Sequence, residues 1–379
     1  MRKTLIALAL LACSCAGPST ADRKELARLE RRDDFAAAVE RIRAAKDEYG
    51  PSNEALYELD LAQALADAGR RPEADAAFAA AQDRMERLWT ISVSKRAGAA
   101  LANENVDDFR GEDFERALAF VLRGVNLLAL GRRNEALIEA KRAEMFLDQL
   151  REDAPRARSY RDDAFAHWLA ARLYEDLGQD DDARISDEAA QRAYRSYAAA
   201  YGTKPPPAPA GAGPSELVLL DLDGTVPRKV RKAGDGALGF VLNTSYPAYE
   251  KEASGDPVCE VSVGTVSVEA RTAEDAAAIA ARALDERLGD LKARSVLRAT
   301  LKLAGTVTGV NSVDSEFADV RAWATLPARI RVARLRVPAG EGRARLRCLD
   351  ASGRAREDRE LSFTAAPGGR AWLIVRTTR

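Results

Sequence analysis

The chain has 379 residues, enough to bury a full core without metal or disulfides, and two domains are the default expectation at this length. Lys and Arg number 58 against 59 Asp and Glu, so the net charge of -1 draws the chain neither to nucleic acid nor to acidic lipid. The single histidine, His167, argues against catalysis by a histidine base and excludes a metal site built on several imidazoles.

Arg2 and Lys3 form a positive start, and Thr4 to Ala12 an apolar run with the length of a signal peptide, far too short to span a bilayer. The run ends in Leu10-Leu11-Ala12-Cys13, followed by Ser14-Cys15. A small residue before a cysteine at this place resembles the lipobox of bacterial lipoproteins, in which the cysteine is diacylated and becomes the new N-terminus. On that resemblance Cys13 is the lipidated residue and Cys15 the second choice, since Leu10 stands third before Cys13. Residues 1–12 are then the signal peptide and 13–21 a tether. Ser14 in place of an acidic residue implies the periplasmic face of the outer membrane. Two or three acyl chains hold a protein on a membrane stably, whereas one does not. An ordinary secretory signal with incidental cysteines is the alternative.

Residues 22–202 read as helical, rich in Ala, Leu, Arg and Glu, with apolar residues three and four apart. Gly202 stops the last helix, and the Pro/Gly-rich stretch within 203–215 predicts a semi-stiff interdomain linker. Beyond it, residues 216–379 show short apolar runs that predict strands at Leu217–Leu222, Gly239–Asn243, Val258–Val268, Ile330–Val337, Arg343–Leu349, Glu360–Thr364 and Ala371–Thr377. One helical region, Ala273 to Leu303 with a break near Gly289, interrupts them. The expected fold class is therefore multidomain: an α-helical repeat domain, then an α+β domain, mostly antiparallel, with helix packed on sheet. Cys259 and Cys348 can pair as a disulfide in an oxidising compartment, although neither spacing nor motif selects this over two separately buried thiols.

The helical half can be tested for tetratricopeptide (TPR) repeats, whose small residues sit at fixed places around a turn glycine. Around Gly69, Leu61, Ala62 and Leu65 precede the turn and Ala74, Phe78 and Ala81 follow it. Around Gly131, Phe120, Gly124 and Leu127 are followed by Ala136 and Ala143. Around Gly178, Ala171 and Tyr174 are followed by Ala183 and Ala190. The glycines lie 62 and 47 residues apart, so a strict 34-residue array is absent and the first gap holds an insertion. Such hairpins stack into a concave surface suited to an extended peptide or a partner helix.

The segment Phe109-Arg110-Gly111-Glu112-Asp113-Phe114-Glu115, running on through Leu127 to Gly131 and Ala136 to Ala143, is more specific. With Asp319 to Pro327 and the basic-apolar Arg294 to Lys302, it resembles a group of uncharacterised bacterial lipoproteins that carry TPR repeats and a C-terminal β-rich domain. The likeness covers most of the mature chain and implies architecture and export rather than a mechanism. It departs at Asp221-Leu222-Asp223-Gly224-Thr225, where the group has a less acidic strand end.

That departure resembles the first motif of haloacid-dehalogenase-type phosphohydrolases, in which two aspartates flank a Mg²⁺. Carried over, Asp221 would attack phosphorus and Asp223 would protonate the leaving group. Thr244 or Ser245, Lys292 or Lys302, and Asp314 with Asp319 would complete the set. That fold needs strands alternating with helices, and here a turn-like basic stretch, Pro227 to Gly236, follows the motif instead. A strand ending in an Asp-Gly turn explains the residues without chemistry. Arg228, Lys229, Arg231 and Lys232 read as a solvated loop, His167 as structural, and Trp323 as packing between helix and sheet.

No Walker loop, dinucleotide fingerprint, zinc cluster or Ser-His-Asp set is present, so no catalytic residue, cofactor or metal ligand is assigned. The expected function is a lipid-anchored envelope protein that binds or organises a protein or peptide partner. The alternative is a Mg²⁺-dependent phosphohydrolase using Asp221 and Asp223. Topology after Thr225 separates them: a βαβ order favours the enzyme, a hairpin the binding module.

Overall fold

A computed structural model describes residues 20–95, 108–153, 158–233, 245–250, 257–289, 291, 319–350 and 352–378. The first part is helical: α1 (Thr20–Glu30), α2 (Phe35–Ala44), α3 (Lys46–Tyr49), α4 (Glu54–Asp67), α5 (Arg71–Lys95), α6 (Asp113–Ala129), α7 (Arg133–Asp153), α8 (Ala164–Asp176) and α9 (Asp180–Ala200). Helices α4 to α9 pack as successive pairs: α4 on α5, α6 on α7 and α8 on α9.

The three pairs turn in the same way. Gly69, Gly131 and Gly178 have φ of 75°, 73° and 69°, a left-handed conformation that only glycine adopts without strain. The amides of Arg70, Arg132 and Gln179 donate to the carbonyls of Leu65, Leu127 and Tyr174 at 2.8–2.9 Å, closing the six-to-one bond of a Schellman cap. The carbonyls of those same three residues then accept from Ala74, Ala136 and Ala183, which starts each second helix in one register.

The two helices of a pair are buried differently. In α9 the buried residues Ala183, Ser186, Ala190, Ala193, Tyr194 and Tyr197 make one stripe at three- and four-residue spacing. In α4, by contrast, Ala55 to Ala66 are buried all round apart from Glu58, and α6 and α8 behave alike apart from Arg123 and Arg172. A helix buried on every side needs a neighbour on every side. The second neighbour is the strand region.

That region comprises β1 (Ala210–Gly211), β2 (Ser215–Thr225), β3 (Lys229–Ala233), β4 (Ser245–Tyr249), β5 (Val258–Val263), β6 (Val266–Glu269), β7 (Arg271–Asp275), β8 (Pro327–Val337), β9 (Gly340–Leu349), β10 (Ala355–Ala365) and β11 (Arg370–Thr377), with a helix, α10, over residues 276–289. A five-stranded sheet has the order β1-β8-β2-β11, with β7 also paired to β8. A four-stranded sheet has the order β10-β9-β5-β6, and β3 pairs β4. Leu217, Leu219, Ala333 and Leu335 turn one face of the larger sheet onto Val261, Ala344 and Leu346 of the smaller. Val218, Leu220, Leu222, Ile330 and Val332 turn the other face onto the helices and join their core. Helices, large sheet and small sheet thus form three layers.

Several expectations change. Val258–Val268 is a hairpin, because Gly264 takes φ 59° and reverses the chain into β6. The helical region expected from Ala273 starts later, since residues 271–275 pair with β8 as a strand, and its part beyond 291 lies outside the described residues, as does Gly239–Asn243. The sheets are mostly antiparallel, as expected; β11 lies parallel to β2 because β8, β9, β10 and β11 reverse direction three times in succession. The Pro/Gly-rich segment is pinned rather than free. Its Ala210 and Gly211 pair with β8, and a Cβ on Gly213 would stand 2.3 Å from the Val337 carbonyl oxygen. Cys259 and Cys348 face each other across β5 and β9 and are joined by a disulfide.

Trp323 is the largest side chain in the seam between the layers, 1 % exposed and edge-on to Phe78 of α5 at 6.2 Å between ring centroids. Trp323→Ala is expected to lower unfolding free energy by about 3–5 kcal/mol. Because one core spans helices and sheet, circular dichroism and tryptophan fluorescence should report coincident urea transitions. Two separate midpoints would show that the parts fold independently.

Candidate functional site

The polar groups of greatest interest lie in the seam between the first helices and the large sheet. The segment from Phe109 to Glu115 sits at its centre. Phe109 N–H donates to the Ser52 carbonyl at 2.7 Å, and Gly111 takes φ 75° to bring the chain into α6. Glu112 caps α6 and reaches Lys229 of β3 at 3.1 Å and Arg287 of α10 at 2.5 Å. Burial would raise its carboxyl, but these two cations hold it down to about 2. Glu115 accepts from the Trp323 amide at 2.8 Å, and burial beside Glu112 pushes it up to about 7.

Other helix carboxylates do the same. Asp60 of α4 accepts from the amides of Ala324 at 2.7 Å and Thr325 at 3.2 Å and from the Tyr49 hydroxyl at 2.7 Å, and burial raises it to about 6. Asp176 at the end of α8 meets Arg370 at 2.5 Å and the Trp372 indole N–H at 2.7 Å. Arg376 of β11 inserts between Glu30 of α1 at 3.5 Å and Asp67 of α4 at 3.0 Å, the latter a charge contact without hydrogen-bond alignment. One guanidinium cannot keep two buried carboxylates ionised, and burial together with Asp67 raises Glu30 to about 8.

This arrangement fills the face that the repeat pattern assigned to a peptide partner. Residues 319–326, with a turn at 324–325, meet Asp60 of α4 and Glu115 of α6, while Arg321 reaches Asn53 at 3.3 Å and the Val320 carbonyl accepts from Arg23 of α1 at 2.6 Å. The groove is occupied by the chain's own C-terminal half. Sequence reasoning missed Asp60, Glu115 and Asp176, although an acidic residue amid an apolar helix was a visible sign of a buried partner.

Asp221 and Asp223 lie on β2 with Leu217 and Leu219, facing the small sheet, and both are wholly buried. Arg331, from the antiparallel neighbour β8, stands 3.4 Å from Asp221 and 2.9 Å from Asp223. Thr377 donates to Asp221 at 2.7 Å. Burial raises Asp221 to about 6 against the pull of Arg331 and Thr377. The guanidinium bridges the two carboxylates, and the next described elements, β3 and β4, pair as antiparallel strands. Neither carboxylate is presented to solvent. Asp221 also lies with Cys259 and Cys348 in the one group of three metal-ligand types among the described residues, but the disulfide removes both thiolates.

The remaining candidates are structural or lie elsewhere. Ser245 is in β4, away from any phosphate-binding loop, and Asp319 pairs with Arg321 at 2.8 Å. Cys13, Cys15, Thr244, Lys292, Lys302 and Asp314 lie outside the described residues. The basic run is not all solvated: Lys229 is buried on Glu112, and Arg228 pairs with Glu250 at 2.6 Å. His167 has carboxylates on both ring nitrogens, Glu144 at 2.9 Å and Asp162 at 2.8 Å. Burial alone would lower it, but these partners raise it to about 9. A shallow cleft of about 200 Å³, lined by Pro51, Glu54, Arg84, Arg87, Leu88 and Phe109, holds no convergent set of catalytic groups.

Arg331→Met would remove the cation that bridges Asp221 and Asp223 and is expected to cost about 3–5 kcal/mol at neutral pH, less where acid protonates them. Urea unfolding at two pH values measures this. Mg²⁺-dependent phosphate-ester hydrolysis that Asp221→Asn abolishes would overturn the structural role. No protein-family model matches the chain, and no curated protein matches it.

Proposed function

We propose that this chain is a cell-envelope lipoprotein acting as a protein-binding or scaffolding module, held through acyl groups on Cys13, or on Cys15, at the periplasmic face of the outer membrane. The helical part is read as TPR-like hairpins. Three pairs with the same glycine turn support this, as do Ala74, Ala81, Ala136, Ala143, Ala183 and Ala190 buried at corresponding places. A disulfide between Cys259 and Cys348 fits an oxidising compartment and so supports export.

One observation carries the binding reading and moves it to a different surface. The first helices are covered by the sheet, so a partner must use the second helices. Among the described residues, the large apolar side chains left exposed are Ile138, Met145, Ile185 and Val258, and the first three lie on α7 and α9. Ile138 and Met145 are seven residues apart on one face of α7, and Ser186, next to Ile185, bonds Glu144, next to Met145, at 2.8 Å. Ile138 and Met145 thus share one face of α7, and Ile185 is exposed on α9. Exposed apolar side chains that share a face are where a contact surface can form.

Two experiments test this. Cys13→Ser should release the protein from the membrane fraction, and mass spectrometry of the wild type should find an acylated N-terminal cysteine. If Cys15 is the anchor, only Cys15→Ser will do so; an unprocessed, lipid-free chain in the cytosol ends the reading. A photo-crosslinker at Met145 in intact envelopes should yield one discrete adduct that Ile138→Glu abolishes, while the same label at Arg345 on the small sheet yields none. Equal labelling from both positions would show no preferred face.

A further inference from the structure

Every seam carboxylate of the first helices described above meets a cation or an N–H from the strand half. Glu274 is a carboxylate on the strand side, and it faces another carboxylate. It lies on β7, at the bulge where the register shifts between Thr272 and Glu274, opposite Ile330. It is wholly buried, and neither carboxylate oxygen has a hydrogen-bond partner.

No donor in its surroundings is engaged with it. From α8 comes Asp163, whose oxygens are already engaged by the Ala166 amide at 2.7 Å and the Tyr160 hydroxyl at 2.9 Å. From α9 come Tyr194 and Tyr197, whose hydroxyls donate to the carbonyls of Ala273 at 3.1 Å and Asp162 at 3.2 Å. Tyr201 stands near, its own hydroxyl buried without a partner. On its own strand, Asp275 holds the Ala278 amide at 2.8 Å and Arg329 of β8 at 3.1 Å. His167, one turn along α8, is held by Glu144 and Asp162. The charges acting on Glu274 are both negative, Asp163 and Asp275. An ionised carboxylate without a donor is the costliest group to bury, whereas the neutral acid can stay.

We propose that Glu274 is a proton-operated latch on the seam between α8–α9 and the large sheet: its neutral carboxyl lets β7 lie against the helices, and loss of the proton parts them. The fold allows local opening, because among the described residues β7 pairs with β8 alone and can swing away while β8, β2 and β11 stay joined. Burial and the two neighbouring carboxylates move the Glu274 carboxyl well above its ordinary range. A carboxyl raised in the folded state contributes stability that is complete below its unfolded titration and is lost as pH rises through the raised value. The latch therefore closes in acid and opens towards alkaline pH. It does not depend on lipid anchoring or on the identity of a partner.

Amide hydrogen exchange of the full chain, corrected for intrinsic rates, tests this between roughly pH 5 and pH 9. In the wild type, protection of β7 and the start of α8 should fall about tenfold per pH unit from the ordinary carboxylate range up to the raised value of Glu274, and level off above it. In Glu274→Gln it should stay level, with α4, α6 and β9 alike in both. Asp163→Asn keeps the helix cap but removes the facing charge, so the wild-type transition should move to lower pH. Infrared titration should show a protonated-carboxyl band in the wild type that Glu274→Gln lacks, and that band and the Asp163→Asn shift decide the matter if Glu274→Gln folds poorly. The same pH course in wild type and Glu274→Gln, or no such band, overturns the latch.

Discussion

The structure depends on one constraint: α4, α6 and α8 are covered on both sides. Second helices close one side and the strand half closes the other, so most of each helix is shut off from water. Any polar atom on them must find its partner within the protein or remain unsatisfied. Asp60, Glu115 and Asp176 find theirs in backbone amides, an indole and arginines of the strand half, so the hydrophobic contact and the polar one specify the same docking. Apolar area supplies most of the attraction, and the paired carboxylates set the register.

This constraint also decides what the charged clusters can do. Asp221 and Asp223 sit in the layer between the two sheets, where Arg331 is as buried as they are. Their closeness has the look of catalytic chemistry, but their neighbours neutralise them and leave no approach. Arg376 likewise stands between Glu30 and Asp67, although both carboxyls stay raised by burial. Glu274 stands apart because the wall opposite it is acidic and aromatic.

Much of the architecture was legible because periodicity is local. Three- and four-residue spacing marked the helices, the Pro/Gly-rich segment marked the change to strands, and the glycine-to-alanine spacing of five residues marked each turn from Gly69, Gly131 and Gly178. The strands β3, β4 and β7 were not legible. They are short, and Arg271 to Asp275 holds more charge than apolar character; β8 makes it a strand by offering a free edge. The site was less legible than the fold. Asp221 and Asp223 were conspicuous as a motif, whereas Asp60, Glu115 and Glu274 lay in segments with no motif at all.

The amino-acid order alone settled which segments are helix and where the chain turns to strand, because each follows from side chains a few residues apart. It also placed an apolar run and two cysteines at the start. Only the tertiary structure decided that the two halves share a core, that Cys259 stands opposite Cys348, and that the groove of the helical stack is filled by residues 319–326. Those outcomes depend on contacts between residues up to hundreds of positions apart. Burial and charge pairing at such distances are set by how layers stack and leave no period in the chain.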